Sequence, residues 1–272
     1  MREFDFYIVP TPIGNLGDIT NRAIEVLKSV DIIACEDSRN TQKLLNHFSI
    51  GTKCISYHKF NEKERVNLFI SLVKEGKKIA LVSDAGTPLF CDPGSIIVRE
   101  LKKEGYSVTA LPGANAVVTF LSQIPRETEE FTFIGFMPKS KKQVIEIILE
   151  HRNTNMLFYE SPNRLLETLK IISGVNKNAI VSVGRELTKV FEEVMTDNIS
   201  SVISHFSNNE IKGEIVVMIH STETKGSVEE YFDKIKKLKD KNFSDKDIAV
   251  VISTLYDVSK NDVYEYLLNN DN

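Results

Sequence analysis

The sequence contains no tryptophan and only three cysteines, Cys35, Cys54 and Cys91, in 272 residues. Three well-separated cysteines form neither a disulfide framework nor a zinc-binding set. The expectation is reduced thiols, buried as small apolar side chains in a cytoplasmic protein. Without tryptophan, any aromatic stacking platform must be built from the 15 Phe or 8 Tyr residues. No apolar run approaches the roughly 18 residues of a membrane span. The first residues carry Glu3 and Asp5 instead of the apolar stretch of a leader. Net positive charge is also missing. A formal net charge of -4 argues against an indiscriminate nucleic-acid binder, although it leaves room for a local basic patch.

The motifs that are absent narrow the chemistry further. No G-x-G-x-x-G follows the first strand-like run, and no G-x-x-x-x-G-K-[ST] occurs, so a dinucleotide fingerprint and a P-loop are both excluded. No His/Cys/Asp cluster has metal-ligand spacing, so no metal is expected. Ser83 lacks the G-x-S-x-G setting of a hydrolase nucleophile. His58, between Tyr57 and Lys59 at a strand end, reads as a surface or capping residue.

What is present is a stretch that organises the rest: Ile79-Ala80-Leu81-Val82 running into Ser83-Asp84-Ala85-Gly86-Thr87-Pro88. The apolar run reads as a strand buried on both faces. The small, polar segment reads as a loop at its carboxyl end, where open α/β sheets bind ligands. A tight connection with no ligand is the alternative. Strands are expected at 4–9, 31–35, 53–56, 78–83 and 107–111, alternating with helices at 19–30, after Thr41, at 62–74, from Asp92 or Ser95 to Glu104, and up to Ser122. Thr20 or Asp18 can cap the first of these helices. Five strand–helix repeats imply a mostly parallel sheet with helices on both faces and polar loops gathered along one edge.

The alternation breaks at Ile124-Pro125-Arg126-Glu127, where a domain boundary is placed. The second part has strands at 131–136, 155–159, 179–183, 190–195 and 215–219, with helices at 143–151, after Arg164, and at 198–206. A hairpin is expected between the strands at 179–183 and 190–195, and a mixed sheet overall. A linker at 222–227 precedes helices at 228–239, 245–256 and 260–268, with Ser244 and Ser259 as caps. The last two helices suit either a helix-turn-helix or a small helical appendage used for packing. The organisation is therefore an N-terminal α/β domain at 1–123, a second α/β domain at 124–221 and a helical unit at 227–272.

The strand-end loops are rich in Gly, Ala, Asn and Pro, and those of the first half are poor in Lys and Arg apart from Arg39 and Lys59. Such loops offer backbone N–H and C=O groups at close range. They suit an adenine, a ribose, an amino-acid zwitterion or a cationic sulfonium better than a polyphosphate.

Tyr7-Ile8-Val9-Pro10-Thr11-Pro12-Ile13-Gly14-Asn15-Leu16-Gly17-Asp18-Ile19-Thr20 resembles the opening signature of the 16S ribosomal RNA (cytidine-2′-O)-methyltransferase family, within the tetrapyrrole-methylase superfamily. Glu36-Asp37-Ser38-Arg39, the Ser83 to Pro88 loop, Phe158-Tyr159-Glu160-Ser161, Gly184-Arg185-Glu186-Leu187-Thr188-Lys189 and Lys212-Gly213-Glu214 are similar to its later motifs, in order. The likeness runs from about residue 6 to 220. Pro112-Gly113-Ala114-Asn115-Ala116 departs from the usual pattern, and Ser38 stands where Thr is usual.

The resemblance implies two α/β domains of the class III methyltransferase type with a small helical tail. It implies S-adenosyl-L-methionine as cofactor, a homodimer, and 2′-O-methylation of a cytidine in the decoding region of the small ribosomal subunit. On this chain the cofactor would be held by Pro12, Asp84, Ala85, Gly86, Ala114 and Asn115 from the first domain. Tyr159, Leu187, Gly213, Glu214 and Ile215 would approach from the second. Glu36, Asp37, Glu160 and Glu186 are candidates for the base, with Arg39, Arg185 and Lys189 as charge partners or phosphate contacts. For Glu186 beside Arg185, a structural ion pair is the alternative. Lys139, Lys141, Lys142, Arg152 and Arg164 form the densest candidate patch for RNA phosphates. Lys234, Lys236, Lys237, Lys239 and Lys241 form a second patch, or merely a solvated helix face. A tetrapyrrole or diphthine-type protein methyltransferase and a non-catalytic ribosome-binding protein are the rival readings.

Overall fold

Alternate residues of the strands in the first half belong to different hydrophobic clusters, and this places helices on both faces of one sheet. The computed structural model describes residues 3–208, 210–221, 228–256 and 258–270. Its first sheet comprises β1 (Phe6–Ile8), β2 (Ile32–Cys35), β3 (Lys53–Ser56), β4 (Ile79–Val82) and β5 (Val108–Ala110). They lie in the order β3-β2-β4-β1-β5, and every pair is parallel. Tyr7, Ile33, Ala80 and Val82 point to the side covered by α1 (Asn21–Ser29) and α2 (Ser38–His47). Phe6, Ile8, Ala34 and Leu81 point to the side covered by α3 (Glu62–Lys74) and α4 (Ser95–Lys103).

The first helix is shorter than its apolar spacing suggests. Thr20 takes the N-cap position and accepts from the Ala23 N–H, so α1 starts at Asn21. Leu16–Asp18 form a separate 3-10 turn capped by Asn15. The helix expected from Asp92 or Ser95 begins at Ser95, behind Gly94 at φ 134. Asp92 is therefore left in the connecting loop.

After α5 (Ala116–Leu121) the chain enters a second sheet, β6 (Phe131–Phe136), β7 (Asn155–Glu160), β8 (Ile180–Arg185), β9 (Glu193–Asn198) and β10 (Ile215–Ile219). Its order is β6-β7-β10-β8-β9. β6 and β7 are parallel and the other pairs antiparallel, a mixed sheet as the spacing of its strands suggested. The hairpin forms, but its return strand starts at Glu193 and not at Val190. Val190 and Phe191 sit in the turn, 94% and 73% exposed, and no part of the sheet covers them. One face of this sheet carries α6 (Lys141–Glu150), α7 (Leu165–Val175) and α8 (Ile199–Ser207).

The other face receives α5. Val117 and Phe120 are buried with Leu157, Val216 and Met218, so the end of the first half is built into the core of the second. Gly184 makes this possible, because a Cβ there would lie 2.5 Å from Phe120 Cδ2. Burying a Phe of this kind contributes about 1.5–3 kcal/mol. The two sheets are joined at α5 and open at the carboxyl ends of β1 and β4.

The stretch read as a linker at 222–227 lies outside the described residues. Beyond it, a 3-10 turn (Val228–Tyr231), α9 (Phe232–Lys239), α10 (Asp245–Leu255) and α11 (Lys260–Asn269) close on their own core of Ile248, Ile252, Val263 and Leu267. Ser244 caps α10 by accepting from Asp247 N–H; Ser259 precedes α11 without making such a bond.

Candidate active site

The loops after β1 and β4 are tied together first. Thr11 and Gly86 exchange both backbone hydrogen bonds at 2.9 Å, and the Thr11 hydroxyl donates to the Ser83 carbonyl at 3.1 Å. Gly86 has φ 77, a conformation open to glycine at little cost, and a Cβ there would press on Ile13 at 3.3 Å. The loop after β5 joins through Thr87, whose hydroxyl donates to the Ala114 carbonyl at 3.0 Å. Asn115 caps α5 by accepting from Val117 and Val118 N–H.

These loops form one wall of a cleft of about 330 Å³. The opposite wall is the second sheet. Of the residues assigned to the cofactor, Ala85, Gly86, Asn115, Tyr159, Leu187, Gly213, Glu214 and Ile215 line this cleft. Pro12, Asp84 and Ala114 do not line it. Pro12 sits between the bridging Thr11 and the lining Ile13, and Ala114 receives the Thr87 bond. Asp84 turns toward the loop after β2. Its carboxylate accepts from the Asp37 N–H at 3.0 Å and from Asn40 Nδ2 at 3.3 Å.

The base candidates separate in space. Asp37 caps α2 and is paired with Arg39 at 2.8 Å. The Arg39 guanidinium, with its own N–H, holds the Asp37 carboxyl at about 2. Neither residue lines the cleft. Glu36, beside them, is pushed above its ordinary value by burial and then by the charges of Asp92 and Asp84, with His58 opposing. Glu160 is buried and occupied: it accepts from Ser161 N–H at 2.7 Å and the Thr168 hydroxyl at 2.6 Å, with Arg164 at 3.4 Å.

Glu186 is paired differently from the sequence expectation. Its partner is Lys189 at 2.7 Å, and Lys189 also reaches Glu214 at 2.9 Å. Burial works to raise the Glu186 carboxyl, but Lys189 and the Glu214 N–H outweigh it and hold it below its ordinary value. Arg185 lies on the other side of the hairpin and pairs with Glu193 at 3.0 Å. Arg185 ends β8 and Glu186 opens the turn in left-handed backbone at φ 51, which separates two neighbours in sequence. The Glu186–Lys189–Glu214 bridge fixes the hairpin turn to Gly213, where a Cβ would collide with the Glu186 side chain.

Residues that line the cleft without having been singled out include Ile13, Thr87, Phe90, Cys91, Asp92 and Phe136. Asp92-Pro93-Gly94 is a turn signal that could have marked the loop. Phe136 ends an apolar strand and is indistinguishable from core by pattern. Cys91 corrects the expectation of buried thiols: Cys35 is buried, Cys54 is half-buried and Cys91 is exposed.

The expected basic patch is divided. Arg164 donates to the carbonyls of Met137 and Pro138 and so braces the loop after β6. Lys139 is exposed on that loop, which leaves the cleft directly after Phe136, and Lys141 and Lys142 are exposed in the first turn of α6. Arg152 follows the far end of α6. Lys234 lies over the Tyr256 ring at 4.0 Å.

The chain matches the family model for Tetrapyrrole (Corrin/Porphyrin) Methylases over residues 5–203. It is 41% identical to Ribosomal RNA small subunit methyltransferase I of Halalkalibacterium halodurans, over 95% of this chain and 92% of that protein. It is 37% identical to the protein of the same name from Escherichia coli O157:H7, over 96% and 94%. Among solved structures, diphthine synthase aligns with a TM-score of 0.64 at 14% identity, covering 79% of this chain and 89% of that one. Cobalt precorrin-4 methyltransferase aligns with a TM-score of 0.58 at 17% identity, covering 78% and 93%.

Two α/β units facing one another across a cleft, with a helical tail, are the class III methyltransferase fold. The chain belongs to the tetrapyrrole methylase family and, within it, to the group of ribosomal RNA small subunit methyltransferase I proteins. It is a methyltransferase, and its cofactor is S-adenosylmethionine.

The cleft fits that cofactor. Its volume is in the range of about 300–1,000 Å³ typical of small-molecule sites. Phe136, Tyr159, Leu187 and Ile215 supply apolar surface for an adenine. No Lys, Arg or His lines the cleft among the described residues, while Asp92 and Glu214 do, which suits a cationic sulfonium and an ammonium.

Proposed function

We propose that the protein transfers the methyl group of S-adenosylmethionine to the ribose 2′-hydroxyl of a cytidine in the decoding region of 16S ribosomal RNA. The observation that carries this reading is the cleft itself: eight of the residues assigned to the cofactor by resemblance line one cavity. The ribosomal names of relatives 36–44% identical support the substrate.

Bound in the cleft, the cofactor supplies an electrophilic methyl group on a sulfonium. The protein's contribution is alignment and exclusion of water. Thr11, Gly86 and Thr87 fix the first wall; the Lys189 bridge fixes the second. Lys139, Lys141 and Lys142 stand beside the opening, where RNA phosphates would be held. The reading includes the division into units at 1–123, 124–221 and 227–272, and a homodimer in the cytoplasm.

Mass mapping of methylated nucleotides in small-subunit RNA, from cells with and without the protein, tests this. The expected result is loss of one 2′-O-methylcytidine in the decoding region. An unchanged map would overturn the proposal.

A further inference from the structure

The loop from Thr87 to Gly94 is held from both sides of the cleft. On the first-sheet side, Thr87 is tied to Ala114, and Gly94 N–H donates to Glu62 at 2.9 Å. On the second-sheet side, the Phe90 ring stacks on Phe133 with centroids 4.7 Å apart and planes 10° from parallel. Cys91 sits over Gly135, where a Cβ would be 3.4 Å from its sulfur. To make these contacts, Leu89 and Cys91 take φ values of 69 and 72. Left-handed backbone at two non-glycine residues is costly and concentrates where a side chain must be aimed. The residue so placed is Asp92.

Among the described residues, Asp92 is the one of three cleft-lining carboxylates with no salt bridge, its polar neighbour being the Ser83 hydroxyl. Glu160 is saturated by Ser161, Thr168 and Arg164. Glu214 is bridged to Lys189. Asp92 meets the Ser83 hydroxyl and the negative charges of Asp84 and Glu36, and no Lys or Arg among the described residues perturbs it. Burial, with Asp84 adding to it and Ser83 opposing, raises its carboxyl above the ordinary value. That makes it a stronger proton acceptor than Asp37, which Arg39 holds near 2.

We propose that Asp92 is the general base of the methyl transfer, taking the proton of the acceptor ribose hydroxyl. The proposal rests on the ribose-methylating reading above. In the step, the O–H bond breaks and its proton passes to an Asp92 carboxylate oxygen. The O–C bond to the methyl forms as the S–C bond breaks, and that electron pair stays on sulfur. Protonated Asp92 returns its proton to water after the product leaves.

The test compares wild type with Asp92→Asn and Asp92→Ser, as full chains acting on small ribosomal subunits that lack the modification. Single-turnover rates are measured across pH, with S-adenosylmethionine affinity measured separately by calorimetry. Removing one of the cleft carboxylates is expected to lower cofactor affinity moderately, while the rate of the cofactor-saturated complex falls by roughly 10²-fold or more, as for loss of a general base. The acid limb of the wild-type profile should disappear in both variants. Equal rates and equal profiles would overturn the assignment of Asp92 alone. Weakened cofactor binding with an unchanged rate in the bound complex would also overturn it, placing Asp92 in cofactor binding. A wild type that binds the cofactor and leaves the subunit unmethylated overturns the ribosomal reading itself, before any variant is compared.

Discussion

The Asp84 carboxylate accepts the backbone N–H of Asp37 at 3.0 Å, across 47 residues of chain. A residue assigned by resemblance to the cofactor thus holds the loop that carries Glu36 and Asp37 and the first turn of α2 that carries Arg39. Asp84→Ala removes this bond and the one to Asn40. The expected outcome is a drop in turnover of ten-fold or more, since displacing a site by about 1 Å costs up to roughly 10²-fold. Asp84→Asn keeps an acceptor and should cost less. Steady-state kinetics with subunits as substrate checks the order.

Asp37→Asn separates charge from capping, because Asn caps as well as Asp. With a carboxyl held at about 2 against an ordinary 3.8, Asp37 stays ionised throughout the working range of pH. Any acid limb of activity above pH 5 therefore belongs to another group and should survive in the variant. The lowered value contributes stability above pH 3.8 that is lost as pH falls toward 2. Urea denaturation should show the wild type ahead of Asp37→Asn at pH 5 and the two converging near pH 2. The margin is small, because Arg39 is 86% exposed.

Gly184 and Gly174 should respond with opposite signs to the same substitution. In Gly184→Ala the new methyl meets the Phe120 ring at 2.5 Å, where α5 joins the two sheets. Overpacking of this kind costs about 1–3 kcal/mol, and the cleft walls should shift enough to weaken cofactor binding. Gly174 has open space around it within α7, so Gly174→Ala should gain about 0.5–1 kcal/mol from helix propensity. Thermal melting of both variants, with cofactor titration, distinguishes them.

Strand–loop–helix repetition made the first sheet legible in the sequence, and closer strand spacing did the same for the mixed second sheet. Their order was not legible. Ile32-Ile33-Ala34-Cys35 and Ile79-Ala80-Leu81-Val82 are equally apolar and equally buried, so nothing local says that they are neighbours. Glycine-rich loops were readable as cleft walls because small residues are needed where backbones approach. Phe90, Asp92 and Phe136 were not, because their roles depend on contacts across the cleft. Phe90 meets Phe133 only after two separate sheets have formed. The pairing of Glu186 with Lys189 instead of Arg185 depends on a turn with φ values of 51 at Glu186 and 66 at Thr188, which no periodicity reveals.

Lys139, Lys141 and Lys142 should govern affinity for RNA without touching the cofactor. Changing all three to Ala is expected to weaken subunit binding at low salt and to flatten its salt dependence by about one unit of slope for each phosphate no longer neutralised. Cofactor affinity should be unchanged, because none of the three lines the cleft. An unaltered salt slope would remove this segment from the RNA path. Arg164→Ala is a different experiment. It frees the Met137 and Pro138 carbonyls and leaves Glu160 buried without its cation, so its cost should appear in stability first.

His220 gives the second sheet a pH dependence of its own. Its Nε2 lies 2.7 Å from the Ser182 hydroxyl, which is fully buried and also 2.7 Å from the Thr196 hydroxyl. Burial, and then the charge of Arg126, lowers the imidazole below its ordinary 6.5. The neutral ring is therefore favoured in the folded chain, and the unfolded chain binds the extra proton first as pH falls. Stability is full above pH 6.5 and declines from there down to the folded value, below which the loss is constant. Denaturation at pH 7.5 and 5.5 should show a decrease in the wild type that is smaller in His220→Gln, which keeps a polar partner for Ser182 but cannot titrate. If both lose the same stability between those pH values, His220 is not the titrating group.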